Sequence, residues 1–371
     1  MSGVNGWRYY AHRLNGDGTE TRLANDLPLS GVAIDRDFSG PGGITATIEP
    51  EHRRLQTPEG ETIFRTWSTA IYAVKDGLIR GAGIISGITE NGPRLELDAP
   101  GFTFYATGQP YLGEQNNIGV DACDIARHVW SHLQSQPNGN LGITFDDCLS
   151  GTKVGTRLAA EGEDKEEFPG PYILAEWQTA DVGKVFDDMA KLAPFDYLTD
   201  HAWDGEDVAH HVRMGRELGR RRTDLRFVVG ENILIQPTID HVGEYYADII
   251  LVQGSGEGAK MVRGLQQRPN TGRLRRATMI EDKSAQNKKE ADARAFEELT
   301  YRLGDPDMSS LVVRNHKNAP LGSYDAGDQI RVRTRAGWAG GRDLWLRILS
   351  LRIEPETDTT TLTVARVEKI K

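Results

Sequence analysis

The sequence predicts a mainly β protein with a helix-bearing α+β insertion between two strand-rich ends, and three observations carry that reading. Apolar and polar residues alternate in short runs through the first hundred and the last sixty or so residues, as half-buried strands require. Turn pairs that accept positive φ, above all Asp76-Gly77, separate those runs. Helical spacing of apolar residues surfaces only in between. The 41 glycines among 371 residues exceed the usual share of ~7% and agree with a chain of many turns.

The stretch Glu61 to Phe104 is the clearest. Thr69 to Val74 reads as a strand that stops at Asp76-Gly77, Leu78 to Thr89 returns as its partner, and Glu90-Asn91-Gly92-Pro93 turns the chain again. Arg94 to Ala99 then places Leu95, Leu97 and Ala99 on one face, so an antiparallel meander with one wet side is expected. Gly81, Gly83 and Gly87 inside the middle strand point to a bulge or a close backbone approach. Upstream, Trp7 to Leu14 and Thr19 to Leu23 flank the hairpin signal Asn15-Gly16-Asp17-Gly18. Val32/Ile34 and Ile44/Ala46/Ile48 alternate on either side of the loop Ser39 to Gly43.

Downstream the period changes. Asp121 is a candidate N-cap before Ile125, Val129 and Leu133 on one helical face. The acidic stretch Glu161 to Glu167 reads as a solvated loop. A second helix is expected from near Thr179 to Pro194, with Val182, Phe186 and Met189 buried, followed by strands Phe195 to Leu198 and Asp207 to Met214. Strand-like segments at Phe227 to Val229, Ile233 to Ile235 and Ala247 to Val252 follow. Ser284 to Leu303 is the clearest helix, with Ala291, Ala295, Leu299 and Leu303 in register and Gly304 and Pro306 beyond. Strands return around Ile330/Val332, Leu349/Leu351/Ile353 and Leu362/Val364, after a turn at Asp325 to Asp328. Expected domains are 1–112, 113–222, 223–303 and 304–371, the third shared with or part of the last.

Composition narrows the function. A net charge of -10 argues against a chain that wraps nucleic acid or adheres to anionic lipid. No run approaches the ~20 apolar residues of a membrane helix. The N-terminus has no apolar signal core, which reads as a soluble protein made in the cytoplasm. Cys123 and Cys148 form no CxxC pair and have no metal-ligand spacing with histidine, so buried free thiols are expected rather than a disulfide.

The search for chemistry returns little. His201, Asp204, Glu206, Asp207, His210 and His211 are close enough in sequence for zinc ligation or acid–base work. The HExxH order is absent, however, and a hairpin turn at Asp204-Gly205 flanked by exposed polar residues is the plainer expectation. The pairs Asp146-Asp147 and Asp187-Asp188 diverge on any strand or helix and read as solvated acids. Gly254 to Gly258 lacks the lysine of a phosphate loop, and no GxSxG surrounds any serine. The arginine runs Arg213 to Arg226 and Arg263 to Arg276 are assigned to subunit contacts or salt-bridged surfaces. No catalytic, cofactor-binding or metal residue is assigned, and no cofactor is expected.

The order of a β domain, a helix-bearing insertion, LGRRRTDLRFVVGENILIQPTID (Leu218 to Asp240), YYADIILVQGSGEG (Tyr245 to Gly258), a long polar helix and a closing strand domain with a Gly-Asp turn resembles the tail hub, or minor tail, proteins of long-tailed actinobacteriophages. The resemblance covers most of the chain and rests on domain order. It implies two tail-tube-like β-barrel or sandwich domains per subunit and a homotrimer forming a pseudo-six-fold ring at the tail tip. That ring would sit between the distal tail protein and the tip or spike, contact the tape measure protein, and pass DNA only through its lumen. It implies a virion component with an architectural role and no enzyme activity. The alternatives are a tail-associated cell-wall hydrolase using the His201 to His211 cluster and a carbohydrate-binding module stacking sugars on Trp203 or Trp338.

Overall fold

In a computed structural model of the chain, the residues described are 4–49, 55–57, 59–159, 170–193, 195–239, 243, 246–269, 272–283, 285–302, 308–335 and 340–367. The alternating runs of the first hundred residues become β1 (Trp7–Leu14), β2 (Glu20–Ala24), β3 (Leu29–Asp37), β4 (Gly43–Ile48), β5 (Thr69–Lys75), β6 (Leu78–Ile84), β7 (Gly87–Asn91) and β8 (Arg94–Pro100). One sheet has the order β2-β1-β5-β6, while β3, β4, β8 and β7 are neighbours in a second. Trp7, Ile34, Ile44, Ile48, Ile71 and Ile85 fill the space between the two layers, so the unit is a sandwich built from alternate residues of each strand.

The meander expected from Leu78 to Ala99 is corrected here. The run Leu78 to Thr89 is two strands: β6 pairs with β5, whereas β7 pairs with β8 in the opposite sheet, so the chain changes layer at Ile85-Ser86. The glycines make the corner possible. A Cβ on Gly83 would fall on the Ala99 carbonyl oxygen and one on Gly81 on the Ile34 side chain, so β6 crosses the second sheet where only glycine fits. The turn chemistry holds, since Asp76 and Gly77 take φ of 53° and 76°.

The middle of the chain supplies β9 (Glu114–Asn117), β10 (Val120–Asp121), α1 (Ala122–Gln134), β11 (Ile143–Phe145), β12 (Lys153–Val154), β13 (Tyr172–Ala175), α2 (Val182–Leu192), β14 (Asp196–Asp204) and β15 (Asp207–Gly215). Asp121 caps α1 by accepting from the Cys123 N–H, and the same carboxylate takes the N–H groups of Ser150 and Gly151. Ile125, Val129 and Leu133 are buried as their spacing requires. The helix α2 starts at Val182, because Asp181 is its cap and Thr179 sits in the left-handed region at φ 48°. The expectation of free thiols is overturned: Cys123 and Cys148 are joined in a disulfide with Cα atoms 6.0 Å apart. The contacts of Asp121 with Ser150 and Gly151 fold the 148–151 segment onto the first turn of α1, within bridging range. The acidic stretch Glu161 to Glu167 lies outside the described residues.

The last part contributes β16 (Arg221–Val228), β17 (Ile249–Gln253), β18 (Arg263–Gln267), β19 (Ala277–Glu281), α3 (Lys288–Tyr301), β20 (Ser310–Arg314), β21 (Gln329–Arg333), β22 (Asp343–Glu354) and β23 (Thr359–Arg366). The strand β22 pairs with β21 and β23 and also with β3, from Ser350↔Asp37 to Ile353↔Ile34. Both ends of the chain therefore share one nine-stranded sheet, ordered β16-β21-β22-β3-β4-β8-β7 with β23 paired to β22 and β20 to β23. The mainly β class with an α+β insertion stands, but the strand-rich ends are open, shared layers rather than closed barrels. The strands β17 to β19 pack a separate small core against Ala291, Ala295 and Leu299 of α3. Leu303, Gly304 and Pro306 lie outside the described residues.

The corner at β6 yields a stability prediction. Gly83→Ala lowers the unfolding free energy by about 3 kcal/mol, and Gly87→Ala, whose Cβ meets the Asp98 side chain no closer than 3.4 Å, by less than about 1 kcal/mol. Urea denaturation midpoints of the two variants check this, and equal losses would contradict it.

Candidate functional site

The histidines singled out in the sequence lie on the hairpin β14–β15, with His201 directly opposite His210. The turn is where Asp204 and Gly205 predict it, but the flanking histidines are not exposed. His210 is buried against Glu20 of β2, a residue that no motif or spacing singles out. Glu20 Oε1 accepts from the Tyr72 hydroxyl at 2.6 Å and faces His210 Nε2 at 2.9 Å, while Oε2 faces His12 Nδ1 at 2.9 Å. His210 Nδ1 stands 2.8 Å from His201 Nδ1, so one of these two rings donates and the other accepts. Phe102 covers the His210 ring with centroids 4.2 Å apart.

The electrostatics follow from this packing. Burial pushes the Glu20 carboxyl up, but the hydrogen bonds of His12, His210 and Tyr72 outweigh it and bring its pKa down to about 2. Burial, reinforced by His210 and Arg36, holds His201 well below the ordinary histidine value. Tyr72 is pushed up by burial and by the Glu20 charge. The side chains of His12, Glu20 and His210 expose 1%, 5% and 2% of their surface, leaving no room for a substrate at the carboxylate. The cluster joins β1, β2 and β5 of the first sheet to the β14–β15 hairpin of the insertion. Its chemistry is that of a buried clasp.

A second polar junction lies on the other side of His201. Arg36 of β3 holds Asp325 through two hydrogen bonds of 2.8 and 2.6 Å and Asp200 of β14 at 2.9 Å, and Arg213 of β15 pairs with the same two carboxylates. Arg36, Arg80, His201 and Tyr324 border a cavity of about 200 Å³ beside it. First sandwich, insertion and closing strands thus meet on two arginines and two aspartates.

The remaining sequence candidates separate. His211 turns away from His210 to Asp146, 2.8 Å from its Nε2, and to Thr144, while Asp147 is solvated. Asp187 accepts from the Tyr197 hydroxyl at 2.9 Å and Asp188 is exposed. Trp203 is wedged against Tyr10 with Arg22 over its ring, so it is not the free stacking platform that sugar binding requires. Trp338 lies outside the described residues. Among the described residues, no group of three or more His, Cys, Asp or Glu is placed to hold a metal ion, and no helix is long and apolar enough to cross a membrane.

No family model and no curated protein matches the sequence. Solved structures do match. The 43 kDa tail protein of prophage MuSo2 from Shewanella oneidensis aligns over 98% of this chain and 100% of its own, with a TM-score of 0.63 at 11% identity. The chain has a phage tail-protein fold. The tail protein of Neisseria meningitidis MC58 gives 0.55 at 13% identity over 97% and 96% of the two chains. Prophage tail protein gp18 of Listeria monocytogenes EGD-e gives 0.54 at 8% identity over 98% and 95%. At such identities the likeness is one of fold, and it spans the tail-protein fold from the first sandwich to the last strand.

Two predictions rest on the clasp. Glu20→Gln replaces a carboxylate that only accepts with an amide that must also donate among three donors, and it lowers the unfolding free energy by about 3 kcal/mol. A change below about 0.5 kcal/mol in chemical denaturation would contradict the geometry. The acid dependence has a defined sign. Glu20 titrates lower folded than its ordinary 4.5, so its contribution is complete above that value and is lost as pH falls towards 2. His201 is also depressed, from 6.5, so protons bind the unfolded chain preferentially as pH falls below that value. Melting temperature therefore falls from pH 7 to pH 4, and His201→Phe makes the segment between pH 7 and 5 shallower. An unchanged profile in that variant would contradict the assignment.

Proposed function

We propose that this chain is a structural component of a bacteriophage tail tip, a hub ring that joins the tail tube and distal tail ring to the tip or spike and gates DNA release. The observation that carries the reading is the likeness of fold to three tail proteins along nearly the whole of each chain. The shared sheet supports it physically: β22 on β3 makes the two strand-rich ends one plate, so a subunit can present two tube-like lobes at fixed spacing. The path of that sheet ends at β16 and β7, edges that closure into a ring would cover. In this proposal three copies form a pseudo-six-fold ring, the distal tail, tape measure and spike proteins are its neighbours, and the virion tail tip is its location. The lumen surface is acidic or neutral, so that DNA slides without adhering. The hydrolase reading loses its support because His201 and His210 are engaged inside the clasp.

Light scattering and electron microscopy of the purified chain test the ring. A mass of three chains, or a three-fold particle, is expected. A hexamer would move the chain to the distal tail ring, and a mass of one chain that persists on mixing with the distal tail protein would contradict a ring. His211→Ala, at the half-exposed histidine, leaves particle assembly unchanged, whereas loss of host-wall clearing in intact particles would revive the hydrolase.

A further inference from the structure

The arginine run Arg213 to Arg226 divides into two sets. Arg213 is paired with Asp200 and Asp325, Arg222 with Asp224 and Asp328, and Arg226 with Glu231. Arg216, Arg220 and Arg221 are exposed, and no carboxylate among the described residues forms an ion pair with any of them. These three meet Arg347 around a cleft of about 990 Å³ at the β16–β21 end of the shared sheet. Glu217 is the one acid on its wall. Two of the guanidinium groups are held in place: Arg221 lies 4.0 Å over the Trp345 ring, and Arg347 lies 4.2 Å over Phe38 while bonding Asp196 and the Gly327 and Leu218 carbonyls. Gly219 runs against the Gly327 backbone too closely for any side chain, which keeps that part of the wall bare.

We propose that this cleft binds an acidic polypeptide segment supplied by a neighbouring protein of the tail, an inference that rests on the tail reading above. Arg347 already has Asp196 as its partner, but Arg216, Arg220 and Arg221 crowd three further positive charges beside it against the single acid Glu217, an excess that is unfavourable unless a partner neutralises it. Guanidinium forks match carboxylates bidentately, and stacking on Trp345 and Phe38 fixes two of them before the partner arrives. The volume admits several residues of extended chain, whereas a single small anion would leave most of it empty. Duplex DNA is too broad to enter a concave cleft of this size.

Fluorescence anisotropy with a labelled hexaglutamate peptide and the purified full-length chain tests the site. Saturable binding is expected, weakened at least tenfold in Arg216→Glu/Arg220→Glu and equally reduced in direction by the charge-neutral Arg216→Gln/Arg220→Gln, both at solvent-exposed positions. Arg263→Glu, on the exposed face of β18, leaves it unchanged. Equal binding by the wild type and both double variants, or no saturable binding at all, overturns the proposal. Tighter binding of a 12-base-pair duplex than of the peptide makes nucleic acid the ligand, and displacement by equimolar inorganic phosphate reduces the site to a simple anion site; either also overturns it. Binding is read on the isolated chain and the tail reading on assembled particles, so each can fail alone.

Discussion

The pairing of β22 with β3 is the constraint on which the rest depends. Four residue pairs, from Asp37↔Ser350 to Ile34↔Ile353, bring segments more than 300 positions apart into one ladder. Loop closure over that distance costs entropy that only a large apolar gain can offset, and the register supplies it: Ile34 and Ile353 face the first sandwich, while Leu351 turns into the core of the closing strands. Arg352 Nη1 donates to both carboxylate oxygens of Asp35 on the solvent side. Because the side-chain period is 2, a one-residue slip between β3 and β22 would turn the inward residues of one strand, Ile34 or Leu351 and Ile353, out of their cores.

Arg36 shows how the α+β insertion is oriented on that frame. It sits on β3 beside the ladder and reaches Asp325 before β21 and Asp200 on β14, so one guanidinium reads the positions of three parts of the chain. The Glu20 clasp fixes the far side of the same hairpin. Buried polar groups of this kind contribute less net stability than an apolar core of equal volume, but their hydrogen bonds admit one arrangement.

Local signals were legible wherever the local chain decides the outcome. Asp76-Gly77 makes the turn its positive φ angles demand, Asp121 caps α1, and Leu97 and Ala99 face inwards. The failures are tertiary. Nothing in the spacing of Leu78 to Thr89 announces a change of sheet, because the deciding contact is of Gly83 with the Ala99 carbonyl across the sandwich. Cys123 and Cys148 are joined because Asp121 gathers the 148–151 segment. His201 and His210 were visible as a cluster, but the Glu20 that holds His210 lies 190 positions away in a short hairpin strand of mixed charge. Burial, which turns a candidate active site into a clasp, cannot be read from one strand's alternation when both faces of β1 are covered: Trp7, Tyr9 and Ala11 on one side, His12 on the other.

The likeness in fold to solved tail proteins extends over 98% and 97% of this chain. The most direct measurement is detection of this protein in purified phage particles by mass spectrometry, with its position marked by gold-labelled antibody in electron micrographs. A stoichiometric particle component with label confined to the tail tip is expected. Absence from particles, with the protein found only free in the infected-cell lysate, would contradict it.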